Sequence, residues 1–142
     1  MKRKPKYKIG IDTGTNTGFA VWSEGALQRV ECMTITQAME AVKAYPAGET
    51  RLFIEDARLW VGFKGKVTKQ SEARRQGAGS VKRDAAIWQD WCKENGYEDV
   101  LFIKPMGNGA KKNAVDFKRI TGWQGRTNEH SRDAAVIVYG RG

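Results

Sequence analysis

Three things are scarce in this sequence, and each scarcity excludes a class of protein. Cysteine occurs only as Cys32 and Cys92, in no Cys-x-x-Cys or comparable spacing, so neither a disulfide-built scaffold nor a thiolate zinc site is open to it. Long apolar runs are missing too. The longest, residues 134–139, falls far short of the ~20 residues that cross a bilayer, and mean hydropathy is −0.60. The third scarcity is acid: 16 Asp and Glu stand against 25 Lys and Arg, a formal net charge of +9. The basic opening MKRKPK leads into a strand-like segment instead of the apolar core of a secretory signal. A soluble, intracellular protein with reduced cysteines and no membrane partner is therefore expected. At 142 residues the chain can bury a core of its own but cannot hold two complete domains, which rules out large two-lobed enzymes. The expectation is one domain over 1–142, with a basic tail at 1–6 and a basic loop at 57–80.

The positive charge is concentrated in blocks. Residues 1–9 hold five basic groups and no acid, residues 57–83 hold eight against Glu72, and residues 104–126 hold six against Asp116. Outside these three blocks the chain is net acidic. Concentrated blocks of this kind suit a polyanion, whereas a merely solvated surface would spread its charge. In the second and third blocks the cations alternate with Trp60, Phe63, Phe117 and Trp123, a mixture suited to phosphates and exposed bases. The plainer reading, a flexible solvated run, carries most weight for residues 1–6.

The apolar pattern predicts an α/β chain. Residues 7–13 and 18–23 read as strands around a Gly/Thr/Asn turn, and a third strand over about 27–35 completes an antiparallel meander. Thr36 can cap a short helix over 37–45, which Pro46-Ala47-Gly48 stops. Residues 51–55, RLFIE, are a buried central strand with an acid at its C-terminal end. Residues 57–80 contain four glycines and no sustained periodicity, so a long loop or a broken helix start is expected, followed by a helix from Ser80 to Asn95. A strand over 100–103, a helix over 111–121 closed by Gly122, and a last helix from Thr127 or Asn128 towards Gly140 complete the order β-β-β-α-β-α-β-α-α. The expected fold is a mixed five-stranded sheet, its first three strands antiparallel and two further strands parallel, flanked by helices.

Two of these buried strands end in carboxylates, Asp12 after IGI and Glu55 after LFI. A desolvated carboxylate is costly unless it is paired, hydrogen-bonded or bound to a metal. If the strands are neighbours, the two acids emerge at one edge of the sheet. His130 and Asp133 are three apart on the last helix and share a face. Together they form an oxygen-rich set suited to Mg²⁺ or Mn²⁺, with two ions ~3.5–4 Å apart able to activate water at a phosphodiester. Each residue also has a structural explanation: Asp12 as a turn cap, Glu55 as an ion pair with Arg58, Asp133 as the counterpart of Arg132, and His130 as an ordinary hydrogen-bonded histidine. Their joint placement is what favours chemistry.

Four ordered pieces carry a resemblance: IGIDTGTNTGFAVW at 9–22, FIED at 53–56, QGAGSVKRDAAIW at 76–88 and EHSRDAAVIVY at 129–139. With them the chain resembles the RuvC-type Holliday junction resolvases of the ribonuclease H-like nuclease superfamily, in a short form of the kind encoded by phages or organelles. The resemblance implies a ribonuclease H-like sheet, a homodimer, four-way or other branched DNA as substrate, and two Mg²⁺ (or Mn²⁺) ions per site. It makes Asp12, Glu55 and Asp133 metal ligands and puts His130 in the fourth ligand position, with Glu129 as the nearest competitor. It sets Lys111 or Lys112 at the scissile phosphate and Trp60 and Phe63 near an aromatic wedge at the crossover. The basic groups Lys64, Lys66, Lys69, Arg74, Arg75, Lys82 and Arg83 would bind the DNA arms. The implied compartment is the cytoplasm of a bacterial or phage-infected cell, with an organelle or nucleus as the alternative.

On this reading Asp12 bridges the two ions, Glu55 holds one, and His130 with Asp133 holds the other. Hydrolysis leaves 5′-phosphate and 3′-hydroxyl ends. Two other classes compete. The segment Asp12-Thr13-Gly14-Thr15 also looks like the phosphate-gripping hairpin of actin and sugar-kinase ATPases, which need a second lobe that 142 residues do not hold. A non-catalytic module for branched DNA would need only the basic blocks, and would have no use for the acids.

Overall fold

The interior strand segments are nearly continuous buried runs, as a sheet covered on both faces requires. A computed structural model of the chain describes residues 4–59, 69–105 and 112–141, with backbone alone for 69–78. Strands β1 (Tyr7–Asp12), β2 (Thr17–Ser23) and β3 (Ala26–Met33) form an antiparallel meander. β4 (Thr50–Glu55) lies parallel to β1, and β5 (Val100–Ile103) parallel to β4. The sheet order is β3-β2-β1-β4-β5, the mixed arrangement expected, with β4 interior and β1 at its centre.

Because successive side chains point to opposite faces, odd residues of β1 and even residues of β4 look one way. Ile9, Ile11, Leu52 and Ile54 pack there with Phe19 and Val21 of β2. That face is covered by α1 (Ile35–Val42), through Ala38 and Val42, and by α2 (Lys69–Glu94), through Trp88 and Cys92. The opposite face, with Gly10, Ala20 and Phe53, is covered by α4 (Glu129–Val138) and α3 (Ala114–Thr121). Each large apolar side chain buried in these two layers contributes ~1.5–3 kcal/mol relative to exposure.

Element boundaries departed from expectation for identifiable reasons. The β2–β3 connection is a two-residue turn, Glu24-Gly25, with φ of 53° and 78°, the left-handed pair that matches strand twist. α1 is capped by Thr34, not Thr36, because only Thr34 has a glutamine three residues on. Its hydroxyl accepts from the Gln37 N–H while the Gln37 side chain accepts from the Thr34 N–H. The largest correction concerns residues 57–80: α2 begins at Lys69, eleven residues before the expected Ser80. Gly77 and Gly79 cost a helix only ~1 kcal/mol each, and the anchored half that follows, with Ala85, Trp88 and Cys92 buried, carries that cost. The helix stops as expected at Asn95-Gly96, where Gly96 takes a φ of 79°. α3 starts after Asn113, which caps it, instead of at 111, and α4 is capped by Asn128 in a capping box with Ser131. The chain is tied to the sheet from Lys6 onward, whose N–H donates to the Glu49 carbonyl and whose carbonyl accepts from Ser23 Oγ, so the basic tail is shorter than 1–6. Among the described residues no helix is long and apolar enough to cross a membrane.

Candidate functional site

The parallel pairing of β1 with β4 runs in register from Tyr7 opposite Thr50 to Ile11 opposite Ile54. The next residues on each strand are Asp12 and Glu55, both on the face that carries Gly10 and Phe53. Two acids 43 positions apart in sequence thus leave the sheet side by side, towards α4. Thr13 secures this end: its hydroxyl donates to the Glu55 carbonyl at 3.1 Å.

Helix α4 reaches this edge because two glycines let its backbone down onto the sheet. A Cβ on Gly10 would overlap the Ala134 carbonyl, and one on Gly18, which faces Asp12 in the ladder, would overlap the His130 carbonyl. Contact this close leaves no space for any side chain. The first turn of α4 consequently lies over the end of β2, and His130 Nδ1 comes to 3.2 Å from Asp12 Oδ2. With Asp12 ionised, the hydrogen bond requires the proton on Nδ1, where it donates to the carboxylate. Asp133, one turn on, is buried at 5 % exposure, and Asp12 at 7 %. Glu55 is half-buried and Glu129 exposed. The end of α4 also carries the helix's partial positive charge, which favours carboxylates nearby.

The chemistry of this donor set, three carboxylates and an imidazole, fits a hard divalent cation. Its assembly is partial: among the described residues no three His, Cys, Asp or Glu side chains are gathered closely enough to hold an ion. Asp12 and His130 engage one another, and for both to ligate one ion their hydrogen bond must open.

The structural alternative for Glu55, an ion pair with Arg58, gives way to another pair. Asp56, which points to the opposite face, receives Arg58 Nε at 2.9 and 3.1 Å, Nη2 at 2.8 Å and the Arg58 backbone N–H at 2.9 Å. Burial pushes the Asp56 carboxyl upward, but these hydrogen bonds and the adjacent charge outweigh it and hold the group below the usual carboxylate range. Arg58 also donates to Gln89 Oε1 on α2 and lies over the Phe102 ring. The FIED motif therefore divides its acids, Asp56 to structure and Glu55 to the edge facing α4.

The basic residues fare unevenly. Lys82 and Arg83 are exposed on α2, just before the buried Asp84. Lys112 is half-buried, and its carbonyl accepts from Arg132 Nε at 3.0 Å, while Arg132 Nη1 donates to Thr127 Oγ1. Arg132 thus ties the segment carrying Lys112 to α4, a positioning role that spacing alone did not reveal. Trp60, Phe63, Lys64, Lys66 and Lys111 lie outside the described residues, as do the side chains of Lys69, Arg74 and Arg75. Of the aromatics in the third block, Phe117 is closed to bases, while Trp123 is half-buried. Phe117, 1 % exposed, is the inward face of α3, and Trp123 packs on the same cluster. Phe117 alternates with Lys118 and Arg119 because an amphipathic helix alternates.

Sequence reading missed the two glycines as well. The signal was present: glycine inside a strand of β-branched residues marks a close backbone approach. No protein-family model matches the chain, and no curated protein matches it by sequence.

Proposed function

We propose that this chain is a ribonuclease H-like, structure-selective endonuclease that resolves four-way or other branched DNA with the help of Mg²⁺ or Mn²⁺. The observation that carries the reading is the convergence of Asp12 and Glu55, from adjacent parallel strands, on the face where α4 brings His130 and Asp133. Independent structural acids have no reason to meet at one sheet edge, and the role of structural acid in this motif already falls to Asp56. The antiparallel meander followed by two parallel strands agrees with the same family of folds.

Asp12, Glu55, His130 and Asp133 would hold the ions, which when bound supply charge neutralisation at the phosphate and a more acidic water. Water attacks phosphorus, the bond to the 3′ oxygen breaks, and the proton balance leaves a 3′-hydroxyl and a 5′-phosphate. Lys112, held by Arg132 through its carbonyl, or Lys111 would contact the scissile phosphate. Lys82 and Arg83, with the basic groups before them in sequence, would grip the arms through phosphates, so affinity falls steeply with salt. Symmetric cutting needs two sites and hence a homodimer.

The test is cleavage of labelled four-way, three-way and linear duplex substrates in Mg²⁺, Mn²⁺, Ca²⁺ and EDTA, with cut positions mapped. Symmetric nicks confined to the four-way substrate, absent in EDTA and lost in Asp12→Asn while binding persists, are expected. Equal cutting of linear duplex refutes junction selectivity, and cleavage retained by Asp12→Asn refutes the metal assignment. The incomplete gathering of donors favours one alternative, a binding module for branched DNA. That alternative predicts shifted but uncut junctions in every lane.

A further inference from the structure

The even-numbered residues of β1 all face α4, and they change character along the strand. Asp12 lies against the first turn of the helix, Gly10 lies beneath Ala134, and Lys8 reaches Arg141 beyond the last turn. The far end of the sheet is therefore as strongly basic as the near end is acidic. Around Lys8, about 13 Å along the strand from Asp12, the chain forms a half-open cavity of about 580 Å³. Among the described residues, Lys4, Lys6, Lys8 and Arg141 contribute its cations and Glu24 is its single acid.

The walls are fixed. Trp22 Nε1 donates to the Ala135 carbonyl at 3.1 Å, and the Trp22 ring meets that of Tyr139 at 5.9 Å and 45°. The chain reverses after α4 at Gly140, where Arg141 N–H donates to the Val138 carbonyl. Lys8 Nζ in turn donates to the Arg141 carbonyl at 3.1 Å. Lys8 has a structural purpose, a cation at the carbonyl end of a helix. Lys6 Nζ lies over the Tyr7 ring at 5.3 Å, with Glu49 and Glu24 as acidic neighbours, whereas Lys4 and Arg141 serve no such end, and like charges brought to one cavity repel unless an anion joins them. Tyr139, 53 % exposed, offers an open aromatic ring beside them.

We propose that this cavity binds one nucleotide unit of an unpaired nucleic-acid strand, with its phosphate among Lys4, Lys6 and Arg141 and its base against Tyr139. The volume lies in the range of small-molecule sites. An apolar ligand would desolvate four cations without compensation, and a bare anion would have no use for the aromatic pair. A base inside a duplex cannot present its face to Tyr139, whereas an unpaired base can. The site is independent of whether the acidic end cuts DNA.

The test uses the full chain carrying Asp12→Asn, so that no probe is cut, and 5′-fluorescein-labelled dT4 read by anisotropy. Tyr139→Ala should weaken dT4 at least fivefold, and Tyr139→Phe, which keeps the ring, should restore binding. Lys4→Glu with Lys6→Glu, at the surface, should weaken it further and reduce the salt slope by roughly 1.4 for two lost phosphate contacts. Unlabelled dTMP should displace the probe better than inorganic phosphate, and a 12-base-pair duplex should bind the Tyr139→Ala protein as it binds the unsubstituted one. Affinity within twofold in both sets of variants overturns the site. Equal competition by phosphate and dTMP, or an equal loss of duplex binding, overturns the base contact. Far-UV circular dichroism identical to that of the parent chain establishes that each variant is folded.

Discussion

Replacing Gly18 by alanine probes how closely α4 must approach the sheet for the acids to meet. The added Cβ would overlap the His130 carbonyl oxygen and lie 2.6 Å from its carbonyl carbon and 3.0 Å from the Asp12 Cβ. Ordinary C···O contact needs about 3.3 Å or more, so the first turn of α4 must lift by on the order of 1 Å. The obstacle is backbone, which cannot swing aside as a side chain would. Overpacking of this kind costs ~1–3 kcal/mol, and removing a glycine from a strand returns ~0.5–1 kcal/mol. A net loss of about 1–2 kcal/mol is expected, lowering the urea midpoint by roughly 0.5–1 M with an unchanged slope and Tm by about 3–6 °C. Gly48→Ala, where no atom lies within 4 Å of the added carbon, is the control and should be neutral. Urea unfolding followed by circular dichroism decides the matter. A Gly18→Ala protein within 0.5 kcal/mol of the parent would refute the close-packed placement of α4 and, with it, the contact between His130 and Asp12.

Cys92 is buried and its thiol is pushed up to about 12 by that burial, whereas Cys32 is exposed. One thiol should therefore react with Ellman's reagent at pH 8 in the folded protein and a second only in denaturant. Since the folded value lies above the ordinary one near 9, Cys92 should withdraw stability as pH rises from about 9 towards 12, an alkaline loss that Cys92→Ala does not share. Asp56 works with the opposite sign. Its lowered value contributes stability above the unfolded range near 3.8, lost as pH falls through the folded value, so Asp56→Asn should flatten acid unfolding curves below pH 4. Arg58→Ala should cost more than Asp56→Ala, by roughly 1 kcal/mol or more in urea melts. Removing the arginine strands a carboxylate only 3 % exposed, whereas the arginine side chain at 33 % can turn to water.

Strand identity, the antiparallel meander and the two parallel strands could be read directly from the chain, because alternation with period two and acids at strand ends are local signals. The helix termini at Asn95-Gly96 and Gly122 were equally plain, since left-handed glycine stops a helix wherever it occurs. The start of α2 was not. Glycine punctuation is a weak energy, and the packing of Trp88 and Cys92, residues downstream, overrode it. Phe117 looked like a base-stacking group among lysines. Only burial against the sheet distinguishes an amphipathic helix from a binding surface of the same composition.

The sequence by itself determined which residue types could do chemistry, since Asp12, Glu55, His130 and Asp133 are set by position and charge. What the tertiary structure decided is which of them share a face. The parallel register of β1 with β4 turned Glu55 towards α4 and Asp56 away from it, and Gly10 and Gly18 lowered the helix until His130 touched Asp12. The same alternation along β1 put Lys8 at the other end of the helix. A period of two is written in the chain, but which face meets which helix is settled only when the sheet packs, because a side chain's neighbours across strands are distant in sequence.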